Sequence, residues 1–395
     1  MKPSLPQEKF FLTSALNVEE FLLQEMKEVF PFFIEKNSQP VAIDFPECEL
    51  KKGGVEFRAD LFIAHQFQIF TKTSHRLLWR IDEFKARDFP TLYNKIKSSR
   101  LKNLLASFPD INIKCSASES RLGQEKRIES SALEALEKKA NSEAAITVFI
   151  RVHQDLVQLS LDLSGEHLHF RNYATGKGAA PLRETWASLF FSVMSQKSSL
   201  SELMNISLLD PFVGSGTLLF ESSLLFQPNI SRSYSLNHLS QAPKIIKSAD
   251  FFKNYKTDFP MLLKKMYAIE KDSDVYQITL KNVENVKRIY PKLPEVKVQK
   301  GDCFQLSRAD LGLRAEESLW IFTNPPYGDR LPSQFNLRKK SGVEALVQEL
   351  VKRYQPQKLG LVLPFDGAGA LKKEAAGFVE FNHGGLHCAF ISLNF

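Results

Sequence analysis

Four stretches of this sequence set reactive side chains beside backbone-breaking residues in a way that could do chemistry. The first is Leu208-Leu209-Asp210-Pro211-Phe212-Val213-Gly214-Ser215-Gly216-Thr217. An apolar run ends there in a carboxylate and a glycine turn, and a helical pattern, Thr217–Phe226, follows. Glycines let the backbone come close to a ligand and turn sharply into a helix. The last glycine of a GxGxxG pattern is missing and Asp210 would repel phosphates, so a pyrophosphate ligand is disfavoured. The acid suits a cationic ligand with an amino group, such as S-adenosylmethionine. In the second stretch, Tyr267-Ala268-Ile269-Glu270-Lys271-Asp272, an acid at a strand end can accept from both hydroxyls of an adenosyl ribose. In the third, Lys300-Gly301-Asp302, a carboxylate can accept from an adenine amino group. One such acid is usually a cap or turn residue. Three at successive strand ends argue for a shared ligand.

The fourth stretch decides the reaction: Leu319-Trp320-Ile321-Phe322-Thr323-Asn324-Pro325-Pro326-Tyr327-Gly328. Two prolines freeze the chain directly after Asn324. A base's exocyclic amino group is a poor nucleophile because its lone pair is delocalised. Accepting its N–H hydrogens, from the Asn324 amide oxygen and a backbone carbonyl, localises that pair toward a methyl sulfonium. Tyr327 can stack on a flipped base. Asn324, Pro325, Pro326 and Tyr327 are therefore the catalytic candidates, with no formal general base. The motif does not separate adenine N6 from guanine N2. Ala174-Thr175-Gly176-Lys177-Gly178 lacks the GxxxxGK[ST] spacing, so nucleoside-triphosphate hydrolysis is not supported.

Parallel strands buried on both faces must hold these stretches, since their apolar runs are continuous. The runs are Ser207–Leu209, Met266–Ile269, Val296–Val298, Leu319–Phe322 and Leu359–Leu363, with helical patterns at Ser273–Val286 and Gly342–Tyr354. This is α/β grammar, a doubly wound Rossmann-like domain. Residues 227–265 read as an irregular insertion. Before the Gly/Ala/Pro-rich junction Thr175–Pro181, helices alternate with shorter strands, an α+β pattern. The spacing predicts a helix over 14–30 capped by Asn17, and strands at Phe32–Ile34, Val41–Phe45 and Val55–Arg58. Further on it predicts helices at Asp88–Ala106 and Gln124–Ala140, and strands at Leu77–Ile81, Ile111–Ser116, Ala145–His153 and Leu156–Asp162. Expected domain boundaries are 1–58, 59–172 and 173–395.

Composition excludes other classes. With 43% hydrophobic and 25% charged residues the chain is neither disordered nor fibrous. No apolar run reaches 18 residues and no signal segment is visible at Met1-Lys2-Pro3, so a cytoplasmic chain without membrane attachment is expected. Cys48, Cys115, Cys303 and Cys388 form no CxxC pair, so neither a disulfide framework nor a metal is expected. His383, His387 and Cys388 read as structural residues of a strand and its entry turn. Residues 51–102 carry 12 basic against 5 acidic side chains, interleaved with Phe67, Phe70, Trp79, Phe84, Phe89 and Tyr93. That pattern fits either an RNA-facing surface or a solvated basic face over a Phe-rich core.

In this order the motifs resemble the THUMP-containing RNA guanine-N2 methyltransferases, and most closely the bacterial 23S rRNA type. The likeness spans nearly the whole chain. It adds Lys52-Gly53-Gly54-Val55-Glu56-Phe57, Leu161-Asp162-Leu163-Ser164-Gly165-Glu166-His167-Leu168-His169-Phe170-Arg171, Ala180-Pro181-Leu182-Arg183-Glu184-Thr185 and Asn324-Pro325-Pro326-Tyr327-Gly328-Asp329-Arg330-Leu331. The resemblance implies a class I methyltransferase domain preceded by ferredoxin-like and THUMP modules, with S-adenosyl-L-methionine as cofactor. It implies a donor site of Thr185, Asp210, Phe212, Gly214, Gly216, Thr217, Glu270, Lys271, Asp302 and Asn324. The implied partner is RNA, 23S rRNA first, and not DNA. Glu270 stands where the family more often has Asp, and Phe335–Lys340 is more basic than expected. The chain stops at Phe395 without the second methyltransferase domain of some relatives, which limits the expectation to one reaction. Guanine-N2 methylation of tRNA, adenine-N6 methylation of DNA and a non-catalytic RNA-binding assembly role remain as alternatives.

Overall fold

The computed structural model describes residues 7–33, 44–174, 176, 182–240, 259–327 and 331–395. The expectations for Ile34, Val41–Ile43, the Thr175 and Lys177–Pro181 part of the junction, and Gly328–Arg330 lie outside these residues. The chain divides into two compact units: Met1–Phe170 with Arg232–Thr257, and Arg171–Ser231 with Asp258–Phe395. Among the described residues, no helix is long and apolar enough to cross a membrane.

The first unit is built on a sheet of eight described strands. They are β1 (Glu8–Thr13), β2 (Cys48–Lys51), β3 (Gly54–Ala59), β4 (Arg76–Lys85), β5 (Asp110–Ser118), β6 (Lys139–Ala140), β7 (Thr147–His153) and β8 (Leu156–Asp162). Their order is β2-β3-β1-β4-β8-β7-β5-β6, so strands from residues 1–58 and 59–172 share one ladder system. Helices α1 (Glu19–Val29), α2 (Leu61–Phe70), α3 (Phe89–Ser98), α4 (Leu101–Leu104) and α5 (Glu125–Leu136) accompany it. Several local expectations are corrected. Helix α1 starts at Glu19, because Asn17 takes a left-handed φ of 67° and caps nothing; Val18 is the N-cap. Phe30–Phe32 is a 3-10 turn around Pro31, not a strand start, and residues 44–47 are not strand. Residues 88–106 give two helices, α3 and α4. Helix α5 ends at Leu136, where Glu137 turns left-handed (φ 57°) and its N–H and that of Lys138 close back on Glu134 and Leu133.

Half of the interleaved aromatics of residues 51–102 are core, whereas Phe84, Phe89 and Tyr93 are half-buried. Phe67 and Phe70 are fully buried and Trp79 nearly so, which removes them as base-stacking surfaces. Lys72 is buried too, Arg76 pairs with Asp162, Arg100 with Glu8, and Lys102 with Glu137. Lys52, Lys85, Lys95 and Lys97 remain exposed. The described part of the 227–265 stretch is not all irregular insertion. Buried Arg232 donates from one guanidinium to the carbonyls of Ser164, Glu166 and His167, making 232–240 part of the first unit.

The second unit carries seven strands: β9 (Ser207–Asp210), β10 (Lys265–Glu270), β11 (Glu295–Lys300), β12 (Leu319–Thr323), β13 (Lys358–Pro364), β14 (Gly377–His383) and β15 (Leu386–Asn394). Their order is β11-β10-β9-β12-β13-β15-β14, with β15 antiparallel to both neighbours and the other described pairings parallel. Helices α6 (Glu184–Ser195), α7 (Leu200–Asn205), α8 (Thr217–Ser223), α9 (Ser273–Ile289), α10 (Lys340–Tyr354) and α11 (Phe365–Gly369) belong to this unit. Burial on both faces explains the continuous apolar runs: all four residues of β9 and all five of β12 are buried. Strand order reverses between β9 and β12, and ligands of open α/β sheets bind beyond the carboxyl ends at such a switch point.

Candidate active site

A cavity of about 610 Å³ opens at that switch point. Asp210 and Glu270 close β9 and β10, Asp302 follows β11, and Asn324 follows β12; all four line the cavity. Phe212, Gly214, Thr217, Lys271, Pro325, Pro326 and Tyr327 line it as well. Two expected residues do not. Gly216 is the left-handed N-cap of α8 (φ 89°), where a Cβ would meet the Phe220 ring at 2.5 Å. Thr185 is buried on α6, its hydroxyl without a hydrogen-bond partner among the described residues.

The glycine loop is held from its neighbours. Gly214 (φ 54°) donates its N–H to Glu270 Oε2 at 3.1 Å, while Thr279 and Asn282 of α9 donate to the Gly214 and Ser215 carbonyls. A Cβ on Gly214 would meet nothing within 4 Å, so its Cα faces open space. Asp210 is fully buried; its Oδ1 accepts from the Thr323 hydroxyl (2.6 Å) and the Phe212 N–H (3.0 Å). Its Oδ2 has no partner among the described residues. Burial pushes the Asp210 carboxyl up to about 7, against the pull of those two hydrogen bonds. Burial also acts to raise Asp302, but the Phe304 N–H and the Lys271 ammonium at 2.9 Å hold it below the usual carboxylate range.

At the other end, the Tyr327 hydroxyl donates to Asn324 Oδ1 at 2.9 Å. The phenol ring packs partly buried against the core, and burial pushes its hydroxyl well above the usual tyrosine range. Reading Tyr327 only as a stacking ring missed this second role. Sequence reasoning also missed Phe304, which packs between Phe212 and Phe335 at 5.9 and 4.8 Å between ring centroids. It set His383 aside as structural, yet His383 lines the cavity. The companion residues point elsewhere: His387 stacks on Phe365, and Cys388 is buried. Among the described residues no group of three or more His, Cys, Asp or Glu side chains is arranged to hold a metal ion.

Residues 171–359 match the family model described as "RMKL-like, methyltransferase domain". The second unit has a methyltransferase fold. A Bacillus subtilis protein described as "Putative RNA methyltransferase YpsC" is 26% identical over 334 residues, covering 78% of this chain and 79% of its own. Two solved structures share the fold across 98% of this chain. SMU.472, crystallised with SAH, superposes with a TM-score of 0.73 at 16% identity over 98% of its length. A Listeria monocytogenes protein described as a "predicted N6-adenine-specific DNA methylase" does so at 0.72, with 18% identity over 96% of its length.

Proposed function

We propose that this protein transfers a methyl group from S-adenosyl-L-methionine to the exocyclic N2 amino group of a guanine in 23S rRNA. In this reading residues 1–58 and 59–172 are the ferredoxin-like and THUMP modules that bind RNA in the cytoplasm, and residues 173–395 the catalytic domain. The observation that carries it is one cavity holding both an unsatisfied buried carboxylate and an amide oxygen fixed ahead of two prolines. The residues fit the donor. Asp210 Oδ2 has a free acceptor position for an ammonium group, and the bare Gly214 backbone leaves room beside it. Glu270 would take the ribose hydroxyls: Oε2 accepts from the Gly214 N–H and Oε1 from the Asp272 N–H, and each oxygen keeps a second lone pair. Asp302 would take the adenine amino group, with Phe212 and Phe304 supplying apolar contact. Thr185, buried on α6 with an unpartnered hydroxyl, does not line the cavity, so no contact with the donor is assigned to it. The donor, when bound, supplies a methyl group on a cationic sulfur.

The chain's own residues prepare the acceptor. Asn324 Oδ1 would accept an N–H of the base amino group and localise its lone pair, an interaction that strengthens as the nitrogen becomes tetrahedral. Tyr327 holds that oxygen in place through its hydroxyl while its ring lines the cavity. The B. subtilis relative's description supports RNA as the substrate; the Listeria description would instead favour an adenine in DNA. Labelling deproteinised rRNA, tRNA and DNA with methyl-tritiated donor, then identifying the labelled nucleoside, tests the proposal. N2-methylguanosine confined to 23S rRNA is the expected result. N2-methylguanosine in tRNA would move the substrate, N6-methyladenosine would overturn the base assignment, and no transfer would leave the RNA-binding assembly role.

A further inference from the structure

Methyl transfer to an amino group leaves a proton to dispose of. The nitrogen lone pair forms the N–C bond as the S–C bond breaks, with that pair retained by sulfur, so the sulfonium charge passes to nitrogen. An N–H proton must then leave. Asn324 can hydrogen-bond this N–H, but a neutral amide cannot take the proton away. The Tyr327 hydroxyl is committed as a donor to Asn324. Glu270 accepts from Gly214 and Asp272, Asp302 is paired with Lys271, and Asp210 is buried at the end of β9.

We infer that His383 accepts this proton, in place of the reaction without a formal general base expected from the sequence; the inference rests on the amino-methylating reading of the cavity. Strand β14 runs antiparallel to β15, which runs antiparallel to β13, so β14 emerges at the same carboxyl edge as β12 and β13. His383 is its last residue, paired with Leu386 across a two-residue turn whose Gly384 and Gly385 both have positive φ (55° and 82°). Two positions earlier, Phe381 pairs with Cys388, whose thiol lies against Tyr327. His383 therefore stands in the cavity wall at the same carboxyl edge that carries Asn324, and it makes no hydrogen bond to a described residue. Val379, Phe381 and His383 alternate onto the face covered by α6, where Trp186 and Phe190 pack on Phe381. From the start of α6, the Arg183 charge acts on His383; Glu380 and His387 pair on the opposite face. Burial first, and the Arg183 charge second, hold the His383 ring below its usual value of 6.5. The imidazole is then neutral at pH 7 and able to accept.

The test is single-turnover methyl transfer by the full chain from pH 5 to 8, with donor saturating at every pH so that Asp210 does not enter the rate, on whichever nucleobase amino group the wild-type enzyme labels. The wild-type rate should fall on the acid side of pH 6.5, as His383 takes up a proton beforehand. His383→Ala should lower the plateau by about 100-fold and erase that acid limb. Added imidazole should restore part of the rate. His383→Gln, which keeps polarity without basicity, should match the Ala variant without imidazole. SAH affinity and the melting transition should stay at wild type in both. A folded His383→Ala enzyme with the wild-type rate and acid limb would overturn the inference. So would a loss accounted for by weaker SAH binding. An incorrect substrate assignment shows separately, in the identity of the nucleoside labelled by the wild type.

Discussion

Asp210 should make the unliganded protein less stable as pH rises, and Asp210→Asn should remove that dependence. The carboxyl is 1% exposed and keeps two hydrogen bonds, yet burial lifts it from an ordinary 3.8 to about 7. Ionising it in place therefore costs on the order of 4 kcal/mol more than in the unfolded chain. Well below pH 3.8 the group is neutral in both states and there is no penalty. Between pH 3.8 and about 7 the unfolded chain ionises and the folded chain does not, so stability falls; above that the penalty is complete. Asparagine keeps the acceptor oxygen without titrating. Its amide N–H₂ would replace the unpartnered Oδ2, subtracting roughly 1–3 kcal/mol at every pH. The informative quantity is thus the pH-dependent part of the difference. Urea unfolding of both proteins without donor should show Asp210→Asn gaining on wild type by about 2–4 kcal/mol from pH 4.5 to pH 8. The first unit is common to both and cancels. A difference that stays constant over that range would refute the burial argument. Donor binding should show the opposite trend: a ligand ammonium favours the ionised carboxylate, so calorimetric affinity should rise with pH toward 8 in wild type and be weaker and flat in Asp210→Asn.

Three further outcomes are expected. Asn324→Ala should lose about 2.7–4 kcal/mol of transition-state stabilisation in single-turnover assays, by analogy with a missing oxyanion-hole donor, far more than it loses in SAH affinity. Tyr327→Phe keeps the ring and loses the hydroxyl at 2.9 Å from Asn324 Oδ1, so turnover should fall by about 2- to 13-fold, the worth of one hydrogen bond; full activity would leave stacking as its only role. Reversing Lys95 and Lys97 to Glu should flatten the salt dependence of rRNA binding by about 0.7–0.9 in log–log slope for each phosphate no longer neutralised, and an unchanged slope would make that helix a solvated face.

The second unit's central strands were legible because burial on both faces leaves an unmistakable pattern, whereas no residue of the edge strand β11 is buried. Ser207–Leu209, Leu319–Phe322 and Leu359–Leu363 fall within β9, β12 and β13. The first unit was harder. Strand β2, Cys48-Glu49-Leu50-Lys51, is almost wholly exposed and has no apolar run to betray it. In residues 51–102 the sequence mixes cations and aromatic rings, but the fold separates them. Rings at one helical or strand face enter the core, whereas many of the charges find carboxylates distant in sequence, as Arg76 finds Asp162 and Arg100 finds Glu8. Net charge along a segment cannot register partners that only tertiary structure supplies. Asn17 failed as a cap for a related reason: its short polar side chain serves equally well in the left-handed conformation that it adopts.

The acids that line the cavity were legible because each ends or closely follows its own strand, so a carboxyl edge collects them whatever the strand order. His383 could not be reached in that way. Its place at the carboxyl edge depends on β15 inserting antiparallel between β13 and β14, and nothing local to His383 encodes that insertion. With β14 running the other way, the histidine would emerge at the amino edge, and the neighbouring Phe and Val residues would look the same. The sequence around a single strand specifies which face is buried, by its alternation, but not which end of the sheet its last residue reaches. Residues delivered to a site by a long-range crossover are therefore the ones that local reading assigns to the core, and a neutral imidazole lining the same cavity as an amide that cannot hold a proton is one of them.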